Sequence, residues 1–452
     1  MQRDDRSAVN TKRAVAPART NAARKSPEGV IGMSGARVAI VGQGYVGLPV
    51  AMRACEAGFD VVGLDVDEDR IDLLQRGKSF IDDVDDERLE AALATGRYLP
   101  TTERAELRGF DFASVCVPTP LHDGAPDLRY IEDAARALST HISPGCCVVL
   151  ESTTYPGTTE EIFVPILESG SGLRAGADFY VGYSPERIDP SNPTWKFHNT
   201  PKIVSGVDPG SLRVVRDFYD QLVEVTVPVP GPREAELAKL LENTFRHINI
   251  ALVNELAVFS HGLGVDVWSV LDAAASKPFG FMRFSPGPGV GGHCLPIDAS
   301  YLSWQVRRSL GQEFRLVDVA NDVNKHMPDY VVARATEHLN RRRKSVNSSN
   351  VLLIGLTYKA NSGDARNSPS MAVAERLDRL GADLRAVDPL IDPDEVPPYV
   401  RLVGFDADQI SQSDLIIVLA DHDMLDWALL ERYADRVLDT RNRLRSPQVE
   451  RF

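Results

Sequence analysis

Short apolar runs alternate along this chain with stretches whose apolar residues recur at helical spacing. The first pairing is "ARVAIVGQGYVGLPVAMRACEAGFDVVGLDVDEDRI". Its run Val38 to Val41 predicts a buried strand and the Gly-rich segment a turn. A helix stopped by Gly58 follows, then a second strand ending at Asp65. The alternation continues through "FDFASVCVPTP" and "CCVVLESTTYPG", as expected of a sheet covered by helices on both faces.

A different pattern runs from Pro232 to about Gly262. Leu237, Leu241, Phe245, Ile248 and Leu252 recur at helical spacing, with Pro near the start and Gly at the end. One helix of roughly thirty residues is long for a globular protein and predicts a spine joining domains. "NRRRKSVNSS" then reads as a surface linker. After it, "NVLLIGLTYKANSGDARNSPSMAVAERLDRLGADLRAVDP" repeats the strand–turn–helix–strand logic, and "DLIIVLA" and "RVLDTRN" supply further strands. The predicted fold is α/β, two doubly wound Rossmann-like domains joined by a long central helix. The expected divisions are a tail (1–35), a first Rossmann domain (36–230), a central helical region (231–330), a helix end and linker (331–349) and a second Rossmann-like domain (350–452).

The 452 residues suit two or three domains, and 43% apolar with 25% charged residues is the balance of a globular chain with ample core. A net charge of −14 argues against nucleic acid or an anionic membrane as partner. No apolar run reaches the roughly 18 residues of a membrane span. The first 35 residues are basic and lack periodicity, which predicts a disordered tail; their Arg- and Ser-rich composition also fits an organelle-targeting peptide. Five cysteines without a CxxC pattern argue against a disulfide frame or a zinc site. Cys55, Cys116, Cys146 and Cys147 lie in apolar elements and read as small buried hydrophobes. Cys294 alone sits in a Gly/Pro-rich segment, "SPGPGVGGHCLPID". That segment is either a cradle for covalent chemistry or a turn holding a small apolar residue.

Gly42, Gly44 and Gly47 form G-x-G-x-x-G around Tyr45 and Val46, between a predicted strand and helix. This context makes a dinucleotide site of an otherwise weak motif. Asp65, at the end of the second strand, would accept both ribose hydroxyls and repel a 2′-phosphate, which favours NAD over NADP. Thr119 and Thr153 follow strands, where ligands of open α/β sheets bind, although each is also an ordinary turn residue. Lys239 and Asn243 are four apart on one helix face, with Arg246 three further on; a solvated polar face is the alternative. Lys359 and Arg366 follow the first strand of the last domain, as phosphate ligands or as surface cations.

Taken in order, "VGQGYVGLP", "CVPTPL", "EST", "SPERIDP", "AKLLENTFRHINIALVNELA", "PGPGVGGHCLPID" and "GLTYKANSGDARNSP" resemble the nucleotide-sugar 6-dehydrogenases, the UDP-glucose/UDP-N-acetylhexosamine dehydrogenase family. The resemblance runs from about Val38 to Arg443. "NTFRHINIALVNELA" and "KPFGFMRFSPGPGVGGHCLPID" look most like the UDP-N-acetylglucosamine branch. Two departures stand out. Ala299 replaces the usual Pro after Asp298, which is expected to loosen the chain there, and "KANSGDAR" is less acidic than usual. The resemblance implies NAD as cofactor, a UDP-sugar substrate, a homodimer or higher homo-oligomer built on the spine, a cytoplasmic location, and a role in surface polysaccharide or glycoconjugate precursor synthesis.

It also implies roles. Cys294 would add to a C6 aldehyde and hold the sugar through a second oxidation. Lys239 and Asn243 would serve the reacting oxygen, Asp298 would orient water or Lys239, and Glu186 would act in thioester hydrolysis with Thr153 placing the water. Arg187, Ile188, Arg246, Gly291 and Lys359, with Lys239 and Asn243, match substrate-contacting positions. Asp65, Arg70, Thr119, Thr153 and Arg366 match cofactor-contacting ones, and no metal is implied. His293 beside the thiol invites a Cys/His dyad, but adjacent side chains in an extended loop point apart. UDP-glucose and UDP-N-acetylmannosamine are alternative substrates. A single-step hydroxyacid dehydrogenase or a non-catalytic nucleotide-sugar-binding regulator are rival classes.

Overall fold

The computed structural model describes residues 35–81, 83–122, 124–188, 192, 194–292 and 294–452. The tail through Ser34, His293 and the side chain of Cys294 lie outside the described residues.

Among the described residues, ten strands precede the spine: β1 (Arg37–Val41), β2 (Asp60–Leu64), β3 (Tyr98–Thr101), β4 (Phe112–Val115), β5 (Leu121–His122), β6 (Ala125–Pro126), β7 (Cys147–Leu150), β8 (Tyr180–Tyr183), β9 (Lys202–Gly206) and β10 (Thr226–Pro228). Eight form one sheet in the order β10-β9-β8-β7-β4-β1-β2-β3, and β5 pairs with β6 as a small hairpin. β1 lies parallel to β2 on one side and β4 on the other. The strand order therefore reverses beside β1, the place where open α/β sheets bind ligands. β9 and β10 run parallel to each other and against the rest. Two buried clusters cover the sheet. One includes the stacked rings of Phe112 and Phe218; the other includes Leu138, Phe163 and Tyr183. Cys55, Cys116, Cys146 and Cys147 are buried thiols.

The last domain is a six-stranded parallel sheet of β11 (Asn350–Ile354), β12 (Asp383–Val387), β13 (Val400–Leu402), β14 (Leu415–Val418), β15 (Val437–Asp439) and β16 (Glu450–Arg451), in the order β13-β12-β11-β14-β15-β16. It repeats the first domain down to single hydrogen bonds. Gly42 and Gly355 each follow the first strand with positive φ, +93° and +85°. Their N–H groups donate to Leu64 O at 2.7 Å and to Val387 O at 2.8 Å. The next N–H groups donate to the carboxylate ending the second strand: Gln43 to Asp65 and Leu356 to Asp388, both at 2.7 Å.

Three helices join the domains. The spine helix, Pro232–Gly262, begins with Pro at its first position, where a missing N–H costs nothing. The thiol helix, Cys294–Leu310, and the return helix, Arg315–Arg341, both pack against it. The return helix takes in the first residues of the expected linker, Asn340 and Arg341, and Val346 and Ser349 within that segment are buried.

The spine is amphipathic, but it buries its polar face. Glu236, Lys239, Asn243, His247 and Asn254 are buried, whereas Leu237, Leu241, Phe245, Leu252 and Phe259 are exposed. A polar group leaves water at little cost only when hydrogen-bonded, and Glu236, Asn243, His247 and Asn254 have such partners, while Lys239 faces the buried carboxylates of Asp298 and Glu186. Glu236 accepts from the Gly157 and Thr159 N–H groups at 2.6 and 2.9 Å and from Thr159 Oγ1 at 2.7 Å. Burial pushes its carboxyl up to about 7 despite these bonds. Glu236→Ala leaves three buried donors unpaired. It is expected to cost roughly 1–3 kcal/mol, read as a lower thermal unfolding midpoint than that of Glu234→Ala, which removes an exposed carboxylate two residues earlier in the same helix.

The segment holding Cys294 differs from expectation. Cys294 is the first residue of a 17-residue helix, not part of an extended loop. Pro296 falls in the first turn, where N–H groups have no helical partner to lose. Ala299 does not loosen the chain; it is buried within that helix, where Ala favours helical geometry more than Pro. A Cβ on Gly291 would lie 2.6 Å from Tyr358 Cβ, and one on Gly292 would lie 3.0 Å from the Tyr358 ring. These two glycines let the last domain pack against the start of the thiol helix.

Candidate active site

The turn after β1 is shaped by its glycines. A Cβ at Gly47 would lie 1.8 Å from Gly42 O, and one at Gly42 would lie 2.4 Å from Cys116 O, so both glycines are needed for the turn itself. A Cβ at Gly44 would meet nothing within 4 Å, which leaves its backbone open to a ligand. The helix that follows, Gly47–Glu56, has no side-chain cap at its N-terminus, so its first N–H groups can face a pyrophosphate. Asp65 is buried at the end of β2 and accepts from Gln43 N and from Arg70 Nη1, the latter at 2.9 Å. The chain's residues fit a dinucleotide.

Arg366 crosses from the last domain to this turn. Its guanidinium lies 5.4 Å from the Tyr45 ring centroid and pairs with Asp364 at 2.6 Å. The Arg366 carbonyl accepts from Gly292 N at 3.0 Å. Arg366 thus joins the glycine turn, the last domain and the approach to the thiol helix. Thr119 is buried, and its carbonyl accepts from the Tyr301 hydroxyl of the thiol helix at 2.5 Å. Thr153 is half-buried three residues beyond β7.

Lys239, Asn243, Asp298 and Glu186 come together from three elements. Asn243 Nδ2 donates to Asp298 Oδ2 at 2.5 Å. Burial pushes the Asp298 carboxyl up to about 6, against the Lys239 charge and the Asn243 hydrogen bond that work to lower it. Asp298 lies about one helical turn after Cys294, the first residue of the thiol helix. Glu186 follows β8 and is buried. Its Oε1 accepts from the N–H groups of Arg187 and Ile188 at 2.6 and 2.5 Å. Its Oε2 is buried without a hydrogen-bond partner among the described residues. Burial raises the Glu186 carboxyl, while Lys202 and Lys239 act to lower it. Lys239 therefore stands electrostatically between Asp298 and Glu186. Such a set can take a proton, oppose a developing oxyanion and position water.

Arg187 is turned toward the spine, pairing with Glu242 at 2.6 Å and donating to Pro201 O at 2.5 Å. Ile188 packs against the first core, Arg246 is exposed, and Lys359 belongs to the loop after β11. Sequence reasoning missed Tyr301, Glu151 and Lys202. Glu151 and Lys202 are charges at the edges of apolar runs, "VVLEST" and "PKIVSG", an incongruity that could have flagged them.

Three models of the UDP-glucose/GDP-mannose dehydrogenase family match the chain: the NAD binding domain over residues 36–223, the central domain over 233–326 and the UDP binding domain over 352–446. A UDP-N-acetyl-D-glucosamine 6-dehydrogenase of Salmonella typhi is 36% identical over 87% of this chain and 91% of its own. A UDP-N-acetyl-D-mannosamine dehydrogenase of Pyrococcus horikoshii is 32% identical over 91% and 97%. A solved structure of a UDP-D-ManNAc dehydrogenase from Pyrococcus horikoshii superimposes with a TM-score of 0.83 at 32% identity, over 91% of this chain and 97% of that one. No helix among the described residues is long and apolar enough to cross a membrane. The glycine turn, the two Rossmann-like sheets and the central helices are those of an NAD-dependent nucleotide-sugar dehydrogenase, and the chain belongs to the UDP-glucose/GDP-mannose dehydrogenase family.

Proposed function

We propose that this protein oxidises the C6 hydroxyl of a UDP-N-acetylhexosamine, UDP-N-acetylglucosamine first, to the uronic acid, as a cytoplasmic source of surface polysaccharide or glycoconjugate precursors. The observation that carries the reading is the meeting of Lys239, Asn243, Asp298 and Glu186 around the helix that begins with Cys294. The choice of sugar rests on the "KPFGFMRF" resemblance and on the higher identity to the glucosamine relative, 36% against 32%.

NAD, when bound, accepts a hydride in each of two oxidations. Gly42, Gly44, Tyr45, Val46 and Gly47 would hold it, with Asp65, Arg70, Thr119, Thr153 and Arg366. Lys239 and Asp298 handle the proton of the C6 hydroxyl. The Cys294 thiolate adds to the aldehyde carbon, and the start of a helix favours that thiolate. The Lys239 ammonium and Asn243 amide oppose charge on the reacting oxygen. After the second oxidation the sugar is a thioester on Cys294. Glu186 takes a proton from a water placed by Thr153, the water oxygen bonds to the carbonyl carbon, and the thiolate leaves. Arg187, Ile188, Arg246, Gly291 and Lys359 are assigned to the substrate.

The test is a panel of UDP-sugars assayed for NADH with the purified protein. The expected result is two NADH per sugar and the highest kcat/KM for UDP-N-acetylglucosamine. A higher value for UDP-glucose or UDP-N-acetylmannosamine would overturn the sugar, and one NADH per sugar would overturn the four-electron reaction. Cys294→Ser is expected to lose steady turnover by about three orders of magnitude or more, because a serine hydroxyl is not ionised at neutral pH, while still binding UDP-sugar. Two NADH per sugar at near-normal rate in that variant would remove the covalent step.

Asp65→Ser is expected to narrow the preference for NAD over NADP by more than about tenfold, since it removes a like charge facing a 2′-phosphate and releases Arg70. Unchanged discrimination in kcat/KM would exclude Asp65 as the selector.

We assign the exposed apolar stripe of the spine to a homodimer. Leu241 and Leu252 are each 61% exposed, and Leu316 and Val319 are exposed on the return helix. Large exposed apolar stripes mark protein interfaces. Leu241→Glu with Leu252→Glu is expected to halve the mass in sedimentation. A wild-type monomer at micromolar concentration would defeat the assignment.

A further inference from the structure

Behind Glu186 lies a buried ionic group that the reaction as written does not use. Glu151, at the end of β7, and Lys202, the first residue of β9, pair at 2.8 Å with side chains 0% and 5% exposed. The other Glu151 oxygen accepts from the Ser114 hydroxyl at 2.7 Å and the Tyr219 hydroxyl at 2.5 Å. The Lys202 ammonium lies 4.9 Å from the Tyr219 ring centroid and 5.4 Å from that of Phe197. It also donates to Pro185 O at 3.3 Å, one residue before Glu186. A cavity of about 10 Å³ is lined by Lys202, Glu186 and Pro185, the lower limit for one water.

A buried ion pair is a costly way to fill a core, because two apolar residues of similar volume do it as well or better. The surroundings of this pair explain its place. Lys202 touches the backbone that carries Glu186 and lines the same cavity as the Glu186 side chain. Of the Glu186 oxygens, Oε1 is held by backbone N–H groups and Oε2 is free of hydrogen bonds among the described residues.

We propose that Lys202, clamped by Glu151, is a positioning residue for Glu186: it holds the Pro185–Glu186 backbone and supplies the buried positive charge that keeps the Glu186 carboxylate ionised for thioester hydrolysis. The inference rests on the reading of Glu186 as the acceptor of the water proton. In that step the water oxygen bonds to the thioester carbon, one water proton passes to Glu186, the C–S bond breaks and Cys294 leaves as thiolate. The acid so formed loses its remaining proton to solvent. A protonated Glu186 cannot take the first proton, so the step depends on the charges facing it. These are Lys202 from β9, Lys239 from the spine, and Glu151 and Cys116 from the ends of β7 and β4. Arg187, next in sequence, is engaged by Glu242. Burial raises Glu186, Lys202 and Lys239 lower it, and Glu151 raises it. Burial works to discharge Lys202, but Glu151 and Glu186 outweigh it and keep the ammonium charged.

The two charges have opposite effects, and this gives the test. Stopped-flow NADH traces with UDP-N-acetylglucosamine separate the hydride steps, a burst of two NADH per site, from hydrolysis, the steady phase. Lys202→Met is expected to keep the burst rate and to lower kcat at pH 7 by roughly 100-fold. It should leave a sugar thioester on the enzyme detectable by mass, and move the acid limb of kcat up by about one pH unit. Glu151→Gln removes a like charge and should move that limb down. Lys202→Arg should restore most of kcat. If Lys202→Met fails to fold, Lys202→Met with Glu151→Gln leaves no lone buried charge and is expected to show the same burst and slow hydrolysis. Burst and steady rates that fall together with an unmoved limb would make the pair merely structural and overturn the inference. So would normal turnover in the double variant. Glu186→Gln separates the two readings. If it turns over normally, the role of Glu186 itself is wrong. If it stalls as a thioester while the Lys202 variants hydrolyse normally, only the Lys202 inference fails.

Discussion

The spine helix buries its polar face, and the rest of the architecture answers to that constraint. A buried carboxylate, amide or imidazole without a partner costs more than one hydrogen bond returns. Each such residue on the spine therefore fixes a different neighbour. Glu236 holds the Gly157–Thr159 turn of the first domain. Asn243 holds Asp298 of the thiol helix. His247 meets Asn321 of the return helix at 2.8 Å. Asn254 donates to Asn324 and accepts from Gly287 N, both at 2.9 Å, which anchors the segment leading to Cys294. Lys239 stands in the middle of this row, facing the buried carboxylates of Asp298 and Glu186. Its neighbours in the row set the bodies around it.

The thiol helix is the second junction. Gly291 and Gly292, just before it, let Tyr358 of the last domain approach closely enough to exclude any side chain. Asp298 reaches the spine, and Tyr301 reaches the loop after β4. These contacts fix the thiol helix against the first domain, the spine and the last domain at once.

The two Rossmann-like domains show how one scaffold is put to two uses. Both end their second strand in a carboxylate that receives backbone N–H groups. Asp65 is also paired with Arg70, which is about one-third exposed and leaves the site reachable. Asp388 is closed off. It accepts from Leu356, Thr357, Leu390 and Ile391 N–H groups, and His422 Nε2 lies 3.2 Å away. Burial opposes its ionisation, but these donors outweigh burial and hold the carboxyl at about 2. Asn361 N donates to His422 Nδ1, so the ring also ties down the loop that carries Lys359. The second domain keeps the strand-end carboxylate as a fastener for its loop.

Much of this was legible in the chain itself. Apolar runs and glycine turns marked β1, β2 and β11 and the limits of the spine, because strand burial and helix periodicity are local properties. The resemblance of the chain's motifs to a known family nominated Cys294, Lys239, Asn243, Asp298 and Glu186, and the structure brings the last four together. What the chain could not state was which side of an amphipathic helix faces inward. Periodicity defines two faces, but burial of the polar one depends on acceptors and donors about 55 to 80 residues away in sequence. Nor did it state that Cys294 opens a helix: the glycines and prolines around it read as a loop, and only packing against Tyr358 and the spine ends that loop at residue 294. Glu151 and Lys202 looked like the polar ends of two apolar strands. Strand order puts β7 and β9 on either side of β8 and turns β9 to run against it, and this brings a carboxylate and an ammonium together beneath Glu186.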